Sequence, residues 1–75
     1  MKKYTVYIKN DLGTIVLIFN SEGVLNTLEF NCRDLDRKQQ ISTVRNLPAT
    51  EDDFLRRAER AAQVGHPINY KFETI

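Results

Sequence analysis

The sequence predicts an α+β domain: a four-stranded antiparallel sheet in the order 3-2-1-4, with two helices packed on one face. Three observations carry this. Short alternating apolar runs joined by turn residues fill the chain up to Asn31. A polar stretch with helical spacing and two start signals follows, and the last residues return to alternation. The order of elements is therefore β-β-β-α-α-β, and a last strand that reverses once more can pair with the free edge of the first.

Each element has its own reason. Tyr4, Val6 and Ile8 alternate with Thr5, Tyr7 and Lys9, the period of two of a half-buried strand. Asn10-Asp11-Leu12-Gly13 reads as a turn, because Asn, Asp and Gly tolerate positive φ. Thr14 to Asn20 forms the second strand, Ser21-Glu22-Gly23 the next turn, and Val24 to Phe30 the third strand. Asp36 and Gln39 are spaced as a capping box, with Ile41 and Val44 on one face and Pro48 as a stop, so a helix is expected over 36–46. Thr50 is a good N-cap for a second helix, and Glu51, Asp52 and Asp53 lie where the helix dipole favours negative charge. Phe54, Leu55, Ala58, Ala61 and Ala62 share a stripe about 120° wide at 100° per residue. Gly65 and Pro67 end that helix, and Ile68, Tyr70 and Phe72 alternate in a last strand. The helices are expected to cover Tyr4, Val6, Ile8, Ile15, Leu17, Phe19, Leu28, Phe30, Ile68, Tyr70 and Phe72.

Composition narrows the class. Seventy-five residues support one domain, and a chain of this size buries only about 60% of its unfolded surface, so its stability is expected to be modest. Charged residues make up 28% and apolar ones 41%, proportions of a globular rather than a disordered chain. With 11 basic and 10 acidic side chains the net charge is +1, which supplies no overall attraction to nucleic acid or anionic lipid. Cys32 is the only cysteine, so no intrachain disulfide is available. That lone thiol and an N-terminus that alternates like a strand, unlike a secretory signal, suggest a cytoplasmic protein. The longest apolar run, Ile15 to Phe19, is far short of a bilayer span, so no membrane association is expected.

One strand departs from the one-sided pattern. Ile15, Leu17 and Phe19 serve the covered face, but Val16 and Ile18 are apolar on the other. With Tyr7 and Leu25 from the flanking strands they form a candidate partner or dimer surface on the open sheet face. The competing reading is that β-branched residues in a central strand follow strand propensity alone.

No catalytic constellation stands out. His66 is the only histidine and sits in a helix-terminating Gly-His-Pro loop; a zinc site would need further His or Cys ligands. Cys32 has no nearby base and reads as a plain thiol. Glu51, Asp52 and Asp53 are explained by the helix N-terminus and by Arg56 and Arg57 four residues beyond the two aspartates. The three glycines are scattered, so there is no phosphate loop. No enzyme activity, cofactor or metal is expected. Arg56, Arg57 and Arg60 on the second helix, with Arg33, Arg37, Lys38 and Arg45 before it, are candidate phosphate contacts. Asp34, Asp36, Asp52, Asp53 and Glu59 interleave with them and no aromatic stacks between, which favours a solvated face.

Phe19, Gly23, Leu25 and Leu28-Glu29-Phe30, followed by Leu35-Asp36-x-Lys38-Gln39 and Leu47-Pro48, resemble the N-terminal segment of small uncharacterised proteins of bacterial prophages and mobile elements. The resemblance spans residues 3–50 and implies a hairpin, a third strand and a helix. Its motifs are structural, and it assigns no functional residue. The expected function is a small non-enzymatic protein-interaction module, homodimeric through the open sheet face. The alternative is a nucleic-acid-associated accessory protein of a phage or mobile element that uses the helical arginines.

Overall fold

The computed structural model describes residues 1–8, 12–33 and 35–75. Lys9, the first turn at Asn10-Asp11 and the interleaved Asp34 lie outside the described residues. The elements are β1 (Lys2–Ile8), β2 (Gly13–Phe19), β3 (Leu25–Cys32), α1 (Arg37–Arg45), α2 (Glu51–Gln63) and β4 (Tyr70–Thr74). The sheet runs β3-β2-β1-β4 with every pair antiparallel, the topology expected from the sequence. The turn between β2 and β3 is tied by Asn20, whose side-chain oxygen accepts from the backbone N–H of Glu22 at 2.9 Å and of Val24 at 3.0 Å. An Asx side chain that bonds the backbone ahead of it substitutes for a turn bond.

Register fixes which side chains share a face. Val6, Ile15 and Phe30 pair across the strands, as do Tyr4, Leu17 and Leu28. Tyr4, Leu17 and Phe19 are buried together with Phe54 of α2. Tyr4 is the hub: its ring lies 4.7 Å from Phe54, 5.7 Å from Phe19 and 5.0 Å from Phe72. Offset and edge contacts of this kind contribute about 0.5–1.5 kcal/mol each beyond burial. Phe54 places α2 on this face, and the groove between α1 and Phe30 places α1 on the same side.

The structure departs from the sequence reading in four places. Leu25 does not reach the open face. The register shifts by a bulge between Ile18, which pairs with Thr27, and Phe19, which pairs with Leu25. The extra residue rolls Leu25 over to pack against the core. Val16 does point away from the helices, between Thr5 and Glu29, yet it is only 5% exposed. A short branched side chain on an inner strand is screened by its neighbours on both sides. The α2 stripe is narrower than its 120° arc: Phe54 and Ala58 are buried and Ala61 half-buried, whereas Leu55 and Ala62 are exposed. Finally, Ile68 precedes β4, and Phe72 is 46% exposed, because the helical cover reaches Tyr70, which packs on Phe54, and stops short of the rest of this outermost strand.

Gly13 shows how tightly β2 and β3 approach. It has φ +133°, and a Cβ there would lie 2.0 Å from the Asn31 carbonyl oxygen. Only glycine combines that backbone angle with that clearance.

Candidate functional site

The open sheet face, the first candidate surface, is not a contiguous apolar patch. Tyr7 is exposed beside Thr14, and Ile18 is half-buried between Lys3 and Thr27. They are separated by four residue positions along β1, about 13 Å at the rise of a strand. Thr5 and the screened Val16 lie between them, and Leu25 is on the other side. Among the described residues Tyr7 and Ile18 stand apart on this face in a field of Thr, Lys and Glu, with Met1 and Ile75 exposed beyond the ends of β1 and β4.

The α2 arginines divide. Arg57 is committed: its guanidinium meets Asp53 at 3.0 Å and donates to the Asn46 carbonyl just past α1. It thus ties the two helices together. Arg56 and Arg60 are exposed, next to Asp52 and Glu59. Of the three candidate phosphate contacts, one is thus already engaged within the fold.

The acidic start of α2 is also structural. Thr50 caps the helix by accepting from the Asp53 N–H at 3.2 Å. Glu51 turns back to the sheet, accepting from the Tyr4 hydroxyl at 2.7 Å and from Lys2 Nζ at 3.0 Å. Burial pushes the Glu51 carboxyl up. The hydrogen bonds from Tyr4 and Lys2 and the lysine charge outweigh it, holding the carboxyl below the usual range. Burial, reinforced by the adjacent carboxylate, keeps the Tyr4 hydroxyl protonated far above its ordinary pKa. A shallow polar cleft beside this network, lined by Asn20, Gly23, Thr50 and Asp52, contains no histidine or cysteine. His66 is exposed in its loop, and the Cys32 thiol contacts the Thr14 carbonyl at 3.4 Å. Among the described residues no three His, Cys, Asp or Glu side chains come together as metal ligands. Among the described residues no helix is long and apolar enough to cross a membrane.

The strongest surface is one the sequence reading passed over. Helix α1 is well started: the Gln39 N–H donates to Asp36 Oδ1 at 2.7 Å, and the Asp36 N–H donates to Gln39 Oε1 at 3.1 Å. Its end is fastened by Arg57 and by Leu47, which packs on the core. Yet none of its nine residues is buried. Ile41 and Val44, three residues apart on one face, are each 48% exposed. Between them and Phe30 of β3 runs a groove of about 400 Å³, bordered by Arg37, Gln40 and Arg45. Lys38 joins Arg45 along the adjoining surface of the helix. Among the described residues no carboxylate lines either stretch. The signal in the sequence was the weak amphipathicity of this segment: two apolar residues are too few to bury a helix, and enough to line a groove.

Comparison with known proteins finds no matching family model, no matching curated protein and no matching solved structure.

Proposed function

We propose that this chain is a small protein-interaction module that works by docking a partner rather than by catalysis, with the groove between α1 and β3 as the docking site. One observation carries the proposal. Ile41 and Val44 remain half-open on a helix that buries nothing, over the Phe30 ring and inside a border of Arg37 and Arg45. An apolar floor within a one-signed rim matches a partner segment whose apolar anchors are flanked by acidic residues. The anchors supply affinity, and the charges supply orientation and rate.

The test is selection of displayed acidic amphipathic peptides on the folded chain. The proposal expects binders that are lost with Ile41→Asp, weaken as salt rises, and ignore Arg56→Ala. Binders insensitive to Ile41→Asp, or none at all, would contradict it. Duplex DNA binding at low salt that weakens in Arg56→Ala/Arg60→Ala would favour the nucleic-acid alternative instead.

A further inference from the structure

The outer edge of β4 is a self-complementary strand, and we infer that two copies of this chain pair through it, antiparallel about a two-fold axis at Phe72, to make one continuous sheet. This does not depend on the α1 groove, which lies beside β3 at the other end of the sheet.

Backbone parity comes first. Ile75 N–H donates to the Met1 carbonyl at 2.8 Å, the Met1 amino group donates to the Ile75 carbonyl at 3.1 Å, and Tyr7 N–H donates to the Asn69 carbonyl at 2.9 Å. Antiparallel ladders alternate, so residues 69, 71, 73 and 75 turn their backbone groups toward β1. Tyr70, Phe72 and Thr74 therefore turn theirs outward. Among the described residues nothing pairs with this edge, whereas the start of β3 is bridged by the segment before α2, through Val24 and Thr50. β4 itself holds no proline, and no register shift interrupts its pairing with β1. It lacks the usual devices that blunt an edge, apart from its one lysine.

Charge then selects the register. A two-fold at Phe72 places Lys71 opposite the partner subunit's Glu73 and Glu73 opposite the partner subunit's Lys71. These are non-hydrogen-bonded positions, where side chains come closest. It also matches the outward residues: Tyr70 with Thr74, Phe72 with Phe72. A two-fold at Lys71 or at Glu73 keeps the backbone parity but sets like charges face to face, which is unfavourable. Within one chain Lys71 and Glu73 already lie 3.3 Å apart, so pairing turns a single ion pair into a four-charge cluster.

The apolar side agrees. Phe72 is 46% exposed although its ring touches Tyr4. At the two-fold it gains the partner's Phe72 and joins two aromatic clusters into one. Five residues per copy make a contact well below the roughly 1,600 Å² of a standard interface, so the association is concentration-dependent, in the micromolar range or weaker.

Light scattering on the eluting protein, up to near-millimolar concentration, tests the inference. The wild type should rise from 8.7 kDa toward twice that mass. Lys71→Glu alone and Glu73→Lys alone should each weaken self-association at least tenfold. The two variants mixed should form a heterodimer, because each then presents the charges the other lacks, and the double swap in one chain should dimerise again. Thr74→Pro removes an N–H that faces away from β1, so the fold is kept, and it should leave a monomer. Circular dichroism confirms that each variant is folded. A wild type that stays monomeric at every concentration, or a dimer indifferent to all these substitutions, would overturn the pairing.

Discussion

The two helices lie on the same face of the same sheet and each begins with a side-chain cap, but one is built in and the other rests on the surface. Helix α2 inserts Phe54, 3% exposed, between Tyr4, Phe19 and Tyr70, and seats Ala58 below it. Its first residue, Glu51, reaches Tyr4 and Lys2 on β1. Helix α1 has a complete capping box and buries no residue. The difference teaches that caps decide where a helix starts, whereas the number of large apolar residues on one face decides whether the fold depends on it. A domain this small has one core, and α2 occupies it. That leaves α1 as a surface whose apolar residues are available to something else.

Substitutions should separate the helices, and the largest effect belongs to α2. Phe54→Ala removes the ring that Tyr4, Phe19 and Tyr70 surround and should cost about 3–5 kcal/mol in urea unfolding, most of the stability of a domain this size. Next is the strand pair beneath α1. Gly13→Ala forces a positive φ on alanine and drives its Cβ into the Asn31 carbonyl. About 2–3 kcal/mol is expected, read from the same unfolding curves.

A smaller effect tests the link from α2 to the sheet. Glu51→Gln keeps an acceptor for Tyr4 but loses the charge facing Lys2, and should cost about 1 kcal/mol at neutral pH. The sign with pH follows from the depressed carboxyl. Unfolded, Glu51 titrates near an ordinary value of about 4.3; folded, it titrates lower. Its stabilisation is thus complete above the unfolded value and is lost as pH falls through the folded one. Thermal melts of wild type and Glu51→Gln should converge on acidification below about pH 4. Curves that stay parallel would mean the network contributes nothing through charge.

The smallest effect belongs to α1. Ile41→Ser/Val44→Ser should shift stability by no more than about 0.5 kcal/mol, because both side chains are already half in water. The same pair should abolish peptide docking in the groove, which separates a binding role from a packing role.

Much of the fold was legible because it is written in local spacing. Thr50 and Asp36 cap the helices they were expected to cap, and the sheet order follows from the alternation of strand directions. What escaped the sequence depends on contacts distant in the chain or on single-residue geometry. Glu51 and Tyr4 are 47 positions apart, so a carboxylate that looked like a helix-dipole residue also holds the sheet. The bulge opposite Phe19 is one residue of slippage that no periodicity announces, and it moves Leu25 to the other face. Asn20 looked like the last residue of a strand, and its side chain closes the turn that follows. The α1 groove was missed for a related reason. Ile41 and Val44 read as core-facing by spacing, and only the packing shows that nothing covers them.

Native-state hydrogen exchange, resolved by residue, tests the division between the helices most directly. Amides around Phe54 in α2 and in the paired strands β1 and β2 should exchange only through global unfolding, while those of α1 should exchange at least about 100-fold faster through a local opening. Equal protection in α1 and α2 would contradict the account: it would make α1 part of the cooperative core and leave the groove without its open wall.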